Sequence, residues 1–250
     1  HMHVTENGSW PAGDRDASKS SLMDEMDRAN VDRAVLLPFP PYTSNRYTAR
    51  VCSEHPDRFI GFGYFKSIEP GAVKDDMNRF LDWGFKGIKI HPASQRLSLK
   101  DPRLDPVFSL CQDNGLCAVI DSFPQNPVIP LDEMGPFMID RIAKTYPNLK
   151  LIIAHMGAFQ VMDALFVAKS NPNIYMDCSI IFDYFKGSSV FQDAVYALRH
   201  LDRRIFFGSD FPEFMPGDYL DVVSRAAAGY EDVDFAAIMA ENIKKIIDFD

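Results

Sequence analysis

Cysteine and tryptophan are scarce in this chain, with four and two residues among 250. The thiols Cys52, Cys111, Cys117 and Cys178 match neither a zinc knuckle nor a redox CxxC. A chain this long needs no disulfide to hold its core, so free thiols in a reducing cytoplasm are expected. No run approaches 18 uncharged apolar residues, and no secretory leader pattern is present, so no membrane segment is expected. Basic residues are outnumbered, 26 against 35 acidic ones, for a net charge of −9. That excludes the basic stripe of a nonspecific nucleic-acid binder. It leaves room for a small anionic substrate, since one local arginine suffices to bind it. A phosphate-binding GxGxxG is also missing, because Gly61-Phe62-Gly63 lies inside a strand and opens no helix.

What is present is a regular alternation. Apolar strand candidates fall at Arg33–Leu37, Phe59–Phe65, Lys86–His91, Leu116–Asp121, Leu149–His155, Asn173–Cys178 and Arg204–Ser209. Amphipathic runs separate them, at Ser20–Asn30, Pro70–Trp83, Asp132–Tyr146, Gln192–His200 and Tyr219–Ala228. A last helix is predicted over Phe235–Phe249. Strand starts recur at intervals of about 24 to 33 residues, enough for one strand, one helix and two loops. The strands are apolar on both faces, as parallel strands covered by helices must be. The pattern predicts one α/β domain over residues 1–250, a TIM-like (β/α)8 barrel whose first strand is short or missing at or just before His1.

A barrel places its chemistry at the C-terminal ends of its strands. Here those ends are polar: His1 and His3, Lys89 and His91, Asp121, His155, Asp177, and Asp210. Four of the six histidines are among them. Imidazoles and carboxylates are ordinary ligands of Zn²⁺ or Mn²⁺. His1 and His3 share one side of an extended strand, as do Lys89 and His91. An N-terminal His-Met also has the form of a cloning remnant, so His1 carries both readings. Lys89 and His91 are candidates to line the pocket. Phe39-Pro40-Pro41-Tyr42 is a candidate stiff apolar wall of the pocket, and Tyr47, Arg46, Arg96 and Lys100 are candidates to meet a substrate carboxylate.

These residues carry a resemblance. The segments HMH, MDEMDRANVDRAVLLP, HPDRFIGFGYF, GFKGIKIHP, LIIAHMG, NIYMDCS, RIFFGSDFP and ENIKKII resemble the amidohydrolase-related (amidohydrolase 2) family of the metal-dependent hydrolase superfamily. The resemblance implies a (β/α)8 barrel with one divalent ion, Zn²⁺ first and Mn²⁺ as the alternative. It places the ligands on His1, His3, His155 and Asp210. Asp121 stands where members often have a further histidine, either as a replacement ligand or as the mark of an altered site.

Family activities include hydrolysis of lactones, nonoxidative decarboxylation of aromatic or enol acids, and hydration. The leading expectation is a hydrolase of a small cyclic ester or amide, such as a carboxylate-bearing lactone, using metal-activated water. Asp210 would orient that water and accept its proton. His155 would act as a ligand or steady the oxyanion. The alternatives are a metal-dependent nonoxidative decarboxylase and a catalytically silent barrel that binds or scaffolds. The partner is then a small molecule, with neither nucleic acid nor membrane. The 20 Phe and 11 Met allow the apolar interface of a homodimer.

Overall fold

Seven short apolar runs pair in parallel and in chain order. In the computed structural model, which describes residues 1–124 and 128–247, they curl into an open barrel. An antiparallel hairpin precedes them, β1 (Ser9–Trp10) and β2 (Gly13–Asp16). The barrel strands are β3 (Ala34–Leu36), β4 (Phe59–Gly63), β5 (Gly87–Ile90), β6 (Cys117–Ile120), β7 (Leu151–Ile153), β8 (Ile174–Asp177) and β9 (Ile205–Phe206). Every residue of β4 to β9 is buried, which explains their runs of Ile, Val and Phe. Gly87 allows close packing: a Cβ there would lie 2.5 Å from the Phe62 ring.

Helices cover the outside: α1 (Lys19–Arg28), α2 (Asn45–Glu54), α3 (Pro70–Asp82), α4 (Pro92–Gln95) and α5 (Asp105–Asp113) over the first half. The second half contributes α6 (Pro136–Thr145), α7 (Val161–Ser170), α8 (Ile181–Tyr184), α9 (Ser189–Leu201) and α10 (Pro216–Ala227). Their starts follow local chemistry. Ser18 and Ser44 cap α1 and α2 through side-chain bonds to Ser21 and Tyr47 N–H. Pro136 opens α6 in the first turn, where its missing N–H costs nothing.

The sequence expectation needs three corrections. The predicted helix Asp132–Tyr146 is a short 3₁₀ turn, Leu131–Glu133, followed by α6. The predicted helix Phe235–Phe249 is broken into a π turn at Ala237–Glu241 and a 3₁₀ turn at Ile243–Lys245, and its last two residues lie outside the described residues. The break has a cause. Buried Asn242 donates to the carbonyls of Asp202 and Ile205, and the Ile238 carbonyl accepts Phe207 N–H. These bonds tie the C-terminal segment to the edge of β9, and Ile243, Ile246 and Ile247 then pack on the inward-facing Leu37, Phe62 and Val119. Burying one such isoleucine contributes about 1.5–3 kcal/mol. The third correction is the N-terminal hairpin, which no periodic pattern announces.

Met2 bridges Leu36 on one side and Phe211 on the other, both in parallel sense. Below it a groove of about 780 Å³ runs between β3 and β9, lined by Met2, Val35, Leu37, Phe206 and Ile243. Among the described residues no helix is long and apolar enough to cross a membrane.

Candidate functional site

The residues on either side of that bridge point into the barrel mouth. His1 and His3 follow the two-residue period of an extended strand, so both rings face the same interior. Gly208 leaves room for the first of them, since a Cβ there would sit 2.7 Å from His1 Cβ. Asp210 and His155 meet them from the ends of β9 and β7. Both have left-handed backbones, with φ of 59° and 54°. That conformation is uncommon away from glycine and clusters where surrounding structure holds a functional side chain in place.

Hydrogen bonding fixes the tautomers of both N-terminal histidines. His3 Nδ1 donates to the Leu37 carbonyl at 2.6 Å, and His1 Nδ1 donates to Asp177 Oδ2 at 2.9 Å. Both acceptors lack hydrogens, so the protons are on Nδ1. Nε2 of both rings then faces Asp210 Oδ1, at 2.9 Å from His3 and 3.2 Å from His1. Both nitrogens and the carboxylate oxygen thus converge on one point, where a shared proton or a cation joins them. The ligand atoms of His1, His3 and Asp210 lie within 4.8 Å of one another. Histidines that ligate a metal donate their other ring N–H to a carbonyl or carboxylate, as both do here. The residues present therefore fit a divalent ion. Two imidazoles with one carboxylate suit Zn²⁺ and Mn²⁺ alike.

Asp121 lies beside this cluster but is otherwise engaged. Its Oδ2 is 2.9 Å from Lys89 Nζ, 3.2 Å from His155 Nε2 and 3.7 Å from His91 Nε2. Its Oδ1 accepts Phe123 N–H. These neighbours hold its carboxyl well below the usual range despite complete burial. Burial alone would lower His155, but Asp121, Asp210 and Asp177 push it up to about 9. The second nitrogen of His155 faces Ser179 Oγ at 2.9 Å. His91 goes the other way, to about 4, through burial and the adjacent Lys89 charge. Lys89 is 1% exposed and also lies 3.4 Å from His1 Nε2.

The structure thus brings together His1, His3, Lys89, His91, Asp121, His155 and Asp210. Tyr42 is half-exposed and stacks on Phe39, which in turn meets the His91 ring. Arg46 and Arg96 are exposed. Sequence reasoning passed over Asp177, although it saw its place at a strand end. This carboxylate also accepts the His155 N–H and both the N–H and hydroxyl of Ser179, and with His1 and His155 it forms a second group able to hold an ion. It passed over Trp10 entirely, which stacks on His3 at 5.5 Å.

The amidohydrolase family model, amidohydrolase 2, matches residues 1–249. The chain belongs to that family. This amidohydrolase-family enzyme is 28% identical over 133 residues to 2-amino-3-carboxymuconate-6-semialdehyde decarboxylase of Dictyostelium discoideum. The match covers 45% of this chain and only 36% of that relative's length. Among solved structures, it is similar to an uncharacterized TIM-barrel protein of Bordetella bronchiseptica. The TM-score is 0.80 at 21% identity, over 92% of this chain and 82% of that one. It is also similar to a probable 2-pyrone-4,6-dicarboxylic acid hydrolase of Acinetobacter baumannii with citric acid bound. There the TM-score is 0.73 at 14% identity, over 98% and 97% of the two chains. A third neighbour is the 2,6-dihydroxybenzoate decarboxylase of Rhizobium, with TM-score 0.72 at 17% identity over 98% and 96%. At these identities the likeness establishes the shared barrel.

Proposed function

We propose that this family member is a metal-dependent nonoxidative decarboxylase of a small aromatic or enol acid. This reverses the order of the two activities expected from sequence. The observation that carries it is the convergence of His1 Nε2, His3 Nε2 and Asp210 Oδ1 on one point, next to a separate His155–Asp121 pair. His1, His3 and Asp210 would hold a divalent ion, which when bound would supply Lewis-acid chemistry toward the substrate's carboxylate. Beside that cluster, Asp121 favours the charged form of His155, so the site offers a proton more readily than it takes one. Decarboxylation needs that proton. The bond from carbon to carboxylate breaks, its electron pair stays on the carbon, CO₂ leaves, and the proton held between His155 Nε2 and Asp121 Oδ2 moves to the carbon. Asp210 and His155 remain the proposed catalytic residues. His91 and Lys89 line the inner wall, while Arg46, Arg96 and Tyr42 are the proposed outer contacts for an anionic substrate.

The names of the curated decarboxylase and of the Rhizobium decarboxylase support this reading. Hydrolysis of a carboxylate-bearing lactone is the second reading, favoured by the fold likeness to the Acinetobacter protein. The deciding experiment supplies metal-loaded enzyme with dihydroxybenzoates, carboxymuconate-type acids and pyrone lactones. CO₂ release without ring opening of a lactone is the expected result. Lactone cleavage without CO₂ would reverse the assignment.

A further inference from the structure

The hairpin β1–β2 is too small to be stable alone, and all four residues of β2 are exposed. Its one large buried side chain is Trp10, 7% exposed. The indole lies over the His3 ring at 5.5 Å with 26° between the planes, and over Phe39 at 5.0 Å. Phe39 continues the row to Tyr42 and to His91, at 5.5 Å and 5.3 Å. The indole is also locked in azimuth. Trp10 Nε1 donates to Glu213 Oε1 at 2.6 Å, and Arg15 Nη1 holds the other oxygen at 2.7 Å. Glu213 N–H in turn donates to the carbonyl of Asp210, a candidate ligand, at 2.8 Å. One aromatic face is therefore tied at both ends to the cluster, through His3 and through the Asp210 loop. Across the mouth, Phe123 stands edge-on to His155 at 5.8 Å and to Tyr184 at 4.7 Å.

We infer that the Phe39 ring, partly exposed, is the aromatic wall that selects a planar, conjugated carboxylate over a saturated one at the cluster, fixed in place by the buried Trp10 indole packed against it. Glu213 is the positioning residue of that indole. The inference rests on the reading of the site as one for a small carboxylate. A flat π system fits against Phe39 by offset or edge contacts, which a puckered ring of equal charge makes less well. The contact is worth about three- to tenfold in affinity.

The test uses benzoate and cyclohexanecarboxylate, which carry the same charge, as probes in calorimetric titrations of manganese-loaded protein. Preference for benzoate by about three- to tenfold is expected. Trp10→Leu should bring the ratio to about one, whereas Trp10→Phe, which keeps an aromatic ring but loses the bond to Glu213, should retain about as much of it as Glu213→Leu does. Glu213→Leu should weaken the preference and Glu213→Gln, which keeps an acceptor for the indole, should retain more of it. These variants also carry the test if Trp10→Leu does not fold. In a Trp83→Phe background Trp10 is the sole tryptophan, and its emission should change on adding benzoate. Equal binding of both acids by the unaltered protein would overturn the wall and leave the carboxylate reading standing. So would an unchanged Trp10 emission during measured benzoate binding. Failure of both acids to bind would overturn the carboxylate reading, and the wall with it.

Discussion

Asp177 Oδ2 accepts the Nδ1 proton of His1 at 2.9 Å, so the carboxylate ending β8 decides which nitrogen of His1 is free. Its Oδ1 meanwhile accepts the backbone N–H of His155 at 3.2 Å. One side chain therefore sets the orientation of a candidate ligand and braces the strained turn that carries the candidate proton donor.

Asp177→Asn removes the charge that fixes this tautomer and offers an amide in its place. Divalent affinity should fall by about 10- to 100-fold, the usual effect of losing a partner behind a ligating histidine. Competition against a chromogenic chelator measures it. Unchanged affinity would remove Asp177 from the account.

His3→Ala and Asp210→Ala each delete a converging donor. Elemental mass spectrometry of protein purified without chelator should find about one Zn or Mn per chain in the unaltered enzyme. Each variant should lose it while keeping its circular dichroism. Full metal content in both would refute the three-residue site.

Asp121→Asn leaves Lys89 as a buried charge with no carboxylate. Removing one member of such a pair costs about 3–5 kcal/mol. The double variant Asp121→Asn, Lys89→Met should recover much of the loss, because both charges are then gone. Urea denaturation of the single and double variants checks the coupling; strictly additive losses would contradict it.

In protein stripped of divalent metal, His91 and His155 bend the stability profile in opposite directions. His91 titrates at about 4 when folded, below the unfolded value of about 6.5. The unfolded chain thus binds the extra proton, and stability falls as pH drops from 6.5 toward 4. His155 titrates at about 9, so its stabilisation is full below about 6.5 and is lost as pH rises through 9. Calorimetric Tm in EDTA should peak near neutrality. His155→Gln should flatten the alkaline limb and His91→Gln the acid one.

Much of the barrel was legible because strands buried on both faces have no polar alternation to hide them. His155 and Asp210 stood out because each ends an apolar run, and His3 because it shares one face of an extended segment with His1. Asp177 did not, because its meaning depends on His1, 176 positions away in sequence. Trp10 lay outside any periodic segment, and only the fold lays it on His3. Arg46 and Arg96 were chosen for charge; both are exposed, which an outer contact for an anionic substrate requires. The final helix misled because its apolar spacing was sound, while the pull of Asn242 on the Ile205 carbonyl was invisible in sequence.

The seam at Met2 gives the cluster a second consequence. His1 and His3 flank Met2, which bridges Leu36 on one edge and Phe211 on the other, and Asp210 belongs to the latter edge. An ion bound by all three spans the gap as a clasp. Each increment of metal affinity then adds directly to the cohesion of the ring, by about 2.7 kcal/mol at a free concentration 100 times Kd. Metal occupancy would add to the backbone bonds that already join Met2 and its neighbours to both edges, so the chemistry of the mouth also fastens the wall.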